Sequence, residues 1–244
     1  MCEFIFLMFF CTIMGKGKNK LEKFAEFDSF ENTYDYNSDT KGKWSTIFGN
    51  TNPIVLELAC GKGDYAIGLA KMNPNKNYIG VDIKGNRLWK GAKTALELEL
   101  NNVRFLRIEI DKLFDFFAEN EVSEMWITFP DPQPHKETKR LSSGRFLNVY
   151  RKVMPTTGIM NIKTDSDLFY ESSLAQIEED QLTLLENIND VYGMNPVPEF
   201  LQIRTFYESI WLEMGKKIKY VKFILGDVFS RERKKKKETP ENTD

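Results

Sequence analysis

Acidic residues stand at the points in this chain where a small charged ligand would need them. Glu57 opens the run Glu57-Leu-Ala-Cys-Gly61-Lys-Gly63. Its two glycines permit a tight turn and a close approach of backbone to ligand, and the helix expected after them offers unpaired N–H groups. Asp82 follows at the end of the next apolar run, where a carboxylate can accept both hydroxyls of a ribose. With Ala66 the turn also reads Gly-x-Gly-x-x-Ala, which by itself fits a dinucleotide. A carboxylate inside the strand end, however, repels a pyrophosphate and suits a ligand bearing ammonium and sulfonium cations. Glu109 and Asp111, beyond the third apolar run, are each placed to reach an adenine amino group, and their alternation puts both on one face. The last acid lies in Phe129-Pro130-Asp131-Pro132-Gln133-Pro134-His135-Lys136, where three prolines fix φ and hold Asp131 in a set orientation. A rigid acid beside a basic stretch reads as a nucleotide clamp; the plainer reading is a connector whose Asp caps the next helix.

The elements that must position these acids are legible from periodicity. Short apolar or alternating runs at Ile54–Leu58, Tyr78–Val81, Val103–Ile108, Met125–Phe129, Ile159–Ile162 and Tyr220–Leu225 predict strands. Between them Tyr65–Met72, Asn86–Leu100 and Arg145–Val153 repeat apolar residues at helical spacing. Strand alternating with helix predicts parallel strands joined by right-handed crossovers, with ligands beyond the carboxyl ends of the strands. The expected fold is therefore α/β, a doubly wound Rossmann-like sheet with helices on both faces. The acids named above all fall at such strand ends.

At 244 residues with 41% hydrophobic residues, the chain can bury one full core. Cys2, Cys11 and Cys60 lack the spacing of a zinc site and His135 is the sole histidine, so a metal-free, reduced, cytoplasmic protein is expected. No Gly-x-Ser-x-Gly elbow accompanies that histidine, which argues against a serine hydrolase. Residues 1–13 are almost wholly apolar, yet shorter than the roughly 20 residues of a membrane span and without a basic n-region. They are expected to derive from an upstream start codon, with translation beginning at Met14, and no stable membrane association is expected. Domain boundaries are placed at 1–40 for an extension, 41–226 for the catalytic domain and 227–244 for a charged, disordered tail. The formal net charge of −2 conceals two basic segments, net +5 over 136–152 and net +8 over 216–237, against net −10 over 164–213. Clustered cations of this kind can neutralise phosphates, and Lys139 and Arg140 are the expected contacts.

The chain resembles the bacterial tRNA (guanine-N7)-methyltransferase family, whose members are class I S-adenosylmethionine-dependent methyltransferases. The likeness runs from about Lys41 to Phe223, through Lys41-Gly-Lys-Trp-Ser-Thr-Ile-Phe-Gly-Asn, Glu57 to Gly63, Asn77 to Asp82, the Asp131-Pro132 loop with Lys139-Arg140-Leu141, Lys163-Thr164-Asp165 and Thr205-Phe-Tyr-Glu208. The resemblance implies S-adenosyl-L-methionine as cofactor, contacted by Glu57, Gly61, Gly63, Asp82, Glu109 or Asp111, and Asp131. It implies Asp131 as the catalytic acid, with His135, Lys136, Asp165, Thr205, Phe206, Tyr207 and Glu208 at the substrate. It implies tRNA as partner, methylated at N7 of a variable-loop guanine, by a monomer or homodimer. The chain departs from the family where Gln133 replaces a common Trp, removing a stacking surface, and where His135 replaces a usual Lys that Lys136 can substitute.

Other readings remain open at this stage. An adenine-N6 methyltransferase uses a similar Asp/Asn-Pro-Pro-aromatic loop, but Pro134 occupies the aromatic position here. A NAD-dependent oxidoreductase would use the same glycines. A non-catalytic RNA-binding protein would keep the cations and lose the acids, and a small-molecule methyltransferase would not need the clustered positive charge.

Overall fold

Strand β2, Ile54–Leu58, is buried at all five positions. That is the state of a parallel strand covered on both faces, and it explains why its sequence is an apolar run broken only by Glu57. The structure is a computed structural model and describes residues 20–227. The expectations for residues 1–13 and for the tail after Asp227 lie outside the described residues.

Eight strands form one sheet: β1 (Thr33–Asp35), β2, β3 (Asn77–Asp82), β4 (Val103–Arg107), β5 (Val122–Thr128), β6 (Ile159–Thr164), β7 (Thr183–Ile188) and β8 (Lys219–Ile224). Their order is β1-β4-β3-β2-β5-β6-β8-β7. From β2 the chain winds outward through β3 and β4, then returns to β5 on the other side of β2, so the order reverses between β2 and β5. A crevice opens at such a point beyond the strand ends.

Helices cover both faces. Phe27 of α1 (Lys20–Ser29), Tyr65 and Leu69 of α3 (Asp64–Met72) and Leu88 and Ala92 of α4 (Gly85–Glu97) pack on one face with Tyr78, Phe105, Trp126 and Tyr220. Trp44 of α2 (Trp44–Phe48), Phe116 of α5 (Leu113–Phe116), Tyr150 of α6 (Gly144–Tyr150) and Phe169 of α7 (Asp167–Glu179) pack on the other with Leu56, Met125 and Ile162. The last helix, α8 (Phe206–Glu213), precedes β8. Among the described residues no helix is long and apolar enough to cross a membrane.

The structure corrects the sequence reading in three places. β8 runs antiparallel to both β6 and β7, whereas parallel strands were expected throughout. An apolar run records that a strand is buried, not which way it points. β7 was not expected at all: Thr183, Leu184 and Leu185 are exposed, so this edge strand has no buried face to impose alternation. β1 pairs with β4, and buried Phe27 belongs to the core, so the sheet begins ahead of residue 41.

Gly91 shows how closely the layers approach. A Cβ there would stand 2.2 Å from the carbonyl oxygen of Lys62, in the turn after β2. In an unpacked helix Gly→Ala stabilises by about 1 kcal/mol. Here the added methyl must displace backbone, and we expect Gly91→Ala to destabilise by about 1–3 kcal/mol. Urea denaturation reads the sign, and a stabilised variant would show that α4 does not abut the turn.

Candidate active site

The turn after β2 is built around two carboxylates. The Glu57 side chain is 3% exposed. It accepts the backbone N–H of Ala66 at 2.8 Å on one oxygen and the Thr128 hydroxyl at 3.0 Å on the other. It thereby ties β2 to the first turn of α3 and to the end of β5, across the point where strand order reverses. Burial pushes its carboxyl up to about 8, only partly offset by those two donors. Asp82, at the end of β3, accepts the backbone N–H groups of Gly61 and Lys84, both at 2.8 Å. Gly63 has φ +69°, and a Cβ on it would stand 2.5 Å from the Phe105 ring, so both conformation and space demand glycine. Gly61, at φ +59°, has open space where a Cβ would point.

The loop after β5 is held at both ends. The Phe129 N–H donates to the Lys163 carbonyl, extending the β5–β6 pairing by one residue. Phe129 then turns out of the sheet at φ +49°. Asp131 accepts the Gln133 N–H at 3.0 Å, an Asx turn, and Arg140 Nε donates to the Pro132 carbonyl at 3.2 Å. Asp131 therefore caps no helix: the residue before α6 is Ser143. It is exposed and lines an open cavity of about 900 Å³ together with Phe129, Asp165, Tyr207, Lys84 and Arg87. Asp165, at the end of β6, accepts Lys216 Nζ at 2.7 Å.

The block from Thr205 to Glu208 divides by burial. Thr205 and Glu208 form a capping box at the start of α8, in which the Thr205 hydroxyl accepts the Glu208 N–H at 3.1 Å. The Glu208 carboxylate is fully buried, 2.5 Å from Lys163 Nζ, and accepts the Tyr192 hydroxyl at 2.8 Å. Lys163 also donates to the Leu201 carbonyl at 2.7 Å, and burial lowers its ammonium to about 8 against the raising effect of Glu208. Phe206 and Tyr207 point outward instead, 56% and 45% exposed. Lys62 lies 4.6 Å over the Phe206 ring, and the Phe206 N–H donates to Asp64 at 3.3 Å. Two exposed aromatic rings thus stand between the glycine turn and the cavity.

Asp131, Asp165 and Tyr207 are brought to one cavity, and Glu57, Gly61, Gly63 and Asp82 to one turn. Other expected residues lie elsewhere. Glu208 and Thr205 are spent inside the protein and order the block rather than face the cavity. His135 and Lys136 are exposed on the loop but do not line the cavity. Arg140 is 6% exposed, which corrects its expected role as a phosphate contact: it braces the Asp131 loop. β4 ends at Arg107 and the chain enters a 3-10 turn at Ile110–Lys112, so Glu109 and Asp111 do not alternate on one strand face. Asp111 is paired with Arg145 at 2.5 Å, whereas the exposed Glu109 carboxylate has no ion-pair or hydrogen-bond partner among the described residues. Sequence reasoning missed Thr128, and it gave Lys163 no role although the residue stands in the Lys163-Thr164-Asp165 block. A lysine inside the apolar strand Ile-Met-Asn-Ile-Lys-Thr was the available signal for the second. Among the described residues no group of three or more His, Cys, Asp or Glu is placed to hold a metal ion.

A family model described as "Putative methyltransferase" matches residues 51–221. The chain is 47% identical over 218 residues to the tRNA (guanine-N(7)-)-methyltransferase of Bacteroides fragilis, covering 86% of each. It is 51% identical over 189 residues to the protein of that name from Porphyromonas gingivalis, covering 77% of this chain and 78% of the other. Against that of Bacillus subtilis the identity is 37% over 183 residues, 74% of this chain and 84% of the other. Among solved structures the 16S rRNA methyltransferase KamB superposes with a TM-score of 0.60 at 14% identity, over 76% of this chain and 94% of that one. That likeness is one of fold.

Two substitutions test the buried acids. Folded Glu57 titrates near 8 and unfolded Glu57 near 4.5, so the folded chain holds an extra proton between those values. Its favourable contribution is complete below pH 4.5 and is lost as pH rises through 8. Glu57→Gln keeps a partner for Ala66 and Thr128 without the charge. Urea melts should therefore show it gaining on the parent from pH 5 to pH 8, by on the order of 2 kcal/mol or more. Parallel pH profiles would sink the assignment. Glu208→Gln, which strands the Lys163 charge, should cost about 3–5 kcal/mol, whereas Lys163→Met with Glu208→Leu should recover much of it. Equal loss in the double variant would show that packing rather than charge decides.

Proposed function

The chain belongs to the tRNA (guanine-N7)-methyltransferase family, and from that premise we propose that it transfers a methyl group from S-adenosyl-L-methionine to N7 of the variable-loop guanine of tRNA. The observation that carries this reading is the cavity lined by Asp131, Asp165 and Tyr207, which adjoins the Glu57–Thr128 junction at the reversal of strand order.

The turn fits the cofactor. A desolvated carboxylate at Glu57 gains from a cation beside it, the space at Gly61 lets ligand approach backbone, and Asp82 ends β3 where ribose hydroxyls are accepted. Glu109 is the better placed of the two candidates for the adenine amino group, because Asp111 is occupied by Arg145. When bound, S-adenosylmethionine supplies an electrophilic methyl on a sulfonium.

Guanine N7 carries an in-plane lone pair and needs no prior deprotonation, so the protein's task is alignment. Orientation of this kind is worth about 7–11 kcal/mol. Asp131 and Asp165 accept from the guanine N1–H and amino group. Those donors lie on the edge opposite N7, so holding them turns N7 toward the cofactor turn. Adenine lacks the N1–H and is refused. The exposed ring of Tyr207 offers a stacking face in a loop where Gln133 supplies none. Extracting the base from its stack costs a few kcal/mol, which the cavity must offset. With tRNA as substrate we place the reaction in the cytoplasm, carried out by a monomer or homodimer.

Asp131→Ala should lower kcat/KM by about 10²-fold, equivalent to about 2.7 kcal/mol of transition-state stabilisation, and leave bulk tRNA binding intact. The measurement is methyl transfer from labelled cofactor to unmodified tRNA, then aniline cleavage after borohydride reduction to locate N7-methylguanine. Normal turnover would remove Asp131 from the reaction, and a product methylated elsewhere would overturn the function.

A further inference from the structure

Five cations face the cavity that holds Asp131 and Asp165. Lys84 and Arg87 come from the start of α4, and Lys216, Lys217 and Lys219 from the approach to β8. The second bank is neutralised from within. Lys216 lies 2.7 Å from Asp165, Lys217 lies 3.4 Å from Asp190, and Lys219 pairs with Asp167. The first bank is not. Among the described residues neither the Lys84 nor the Arg87 side chain has a carboxylate within ion-pair distance, and the Arg87 guanidinium donates only to the Tyr207 hydroxyl, at 3.5 Å. Nor does the helix benefit from them. Cations at an N-terminal end oppose the helix dipole, and the first turn of α4 carries no acid to balance them. No ion pair among the described residues accounts for their placement.

We propose that Lys84 and Arg87 bind the phosphodiester of the nucleotide whose base enters this cavity, with Tyr207 stacking on that base; this rests on the tRNA reading above. A guanosine nucleotide carries donors on one base edge and an anion on its backbone. The cavity carries the complementary signs in the same arrangement: Asp131 and the Asp165 oxygen that Lys216 does not take lie beyond the strand ends, and two cations without an ion pair stand at the start of α4. The arginine fork can take two phosphate oxygens, which a lysine ammonium cannot do with the same geometry. The Arg87–Tyr207 contact joins the phosphate site to the stacking face, so one nucleotide engages both. Within 136–152 Arg140 is buried, while Lys136 and Lys139 are exposed and remain available to other phosphates.

The test is fluorescence anisotropy of unmodified tRNA on the full chain across a salt series, with the aniline mapping run in parallel. Lys84→Ala with Arg87→Ala should lower the salt slope by about 1.4–1.8, at roughly 0.7–0.9 per lost contact. It should weaken tRNA binding about tenfold or more. S-adenosylmethionine affinity should stay unchanged and the melting temperature equal or higher, because the helix end loses two unfavourable charges. Arg87→Lys should restore the slope but only part of the affinity. Lys71→Ala, in the last turn of α3 at the other end of the sheet, removes one charge, and twice its slope change is the control for the double variant. A double variant whose slope falls no further than that of the control would overturn the proposal. Wild-type protein that binds tRNA yet forms no N7-methylguanine would instead overturn the function, and the anisotropy would still decide the phosphate contact.

Discussion

A single buried carboxylate holds the ligand side of this fold together. Glu57 bonds at once to the first turn of α3 and to the last residue of β5, so the two halves of the sheet are joined where their windings part. Removing it from water is costly for the charged form, which is why its carboxyl rises to about 8. The same desolvation makes the site receptive to a cation. The glycine turn hangs from this junction: Gly61 donates to Asp82, Gly63 rests on Phe105, and the Lys62 carbonyl abuts Gly91. Shifting any one of these contacts displaces the backbone of the turn.

A second polar junction orders the Tyr207 side of the cavity. Lys163 and Glu208 are both fully buried and mutually paired; Lys163 also donates to the Leu201 and Ile203 carbonyls, and Glu208 accepts the Tyr192 hydroxyl and the Thr205 N–H. The pair fixes β6 against the capping box of α8 and so sets where Phe206 and Tyr207 emerge. A buried pair of this kind adds little net stability but is expensive to break halfway, so it enforces one arrangement. Residues that a family motif groups together thus do different work. Thr205 and Glu208 fix the helix start, and the two aromatics between them meet the solvent.

Three of the six non-glycine residues with positive φ among the described residues lie at the same edge. Ala59 follows β2, Phe129 follows β5 and Gln133 lies in the loop beyond, at φ 54°, 49° and 46°. Such conformations each cost of order 1–3 kcal/mol and persist only where the surroundings over-determine them. Here the surroundings are the Phe129–Lys163 and Arg140–Pro132 hydrogen bonds and the Asp131 Asx turn. The loop reaches its cavity already shaped.

The sequence by itself determined the alternation of strands and helices, the glycine turn, and the acids at the strand ends. Each depends on local rules: apolar periodicity, the steric freedom of glycine, the rigidity of proline. It left open what depends on partners distant in the chain. The antiparallel course of β8 follows from pairing with β6 and β7, and the exposed edge β7 lacks the buried face that would have announced it. Burial moved Arg140 and Glu208 from expected ligand contacts to internal supports, because a charged side chain shows its role only through what surrounds it. Asp111 and Glu109 looked equivalent until Arg145, 34 residues beyond Asp111, took up one of them. The cations of α4 gained significance in the same way, once the carboxylates near the other lysines were seen to neutralise those and leave Lys84 and Arg87 uncompensated.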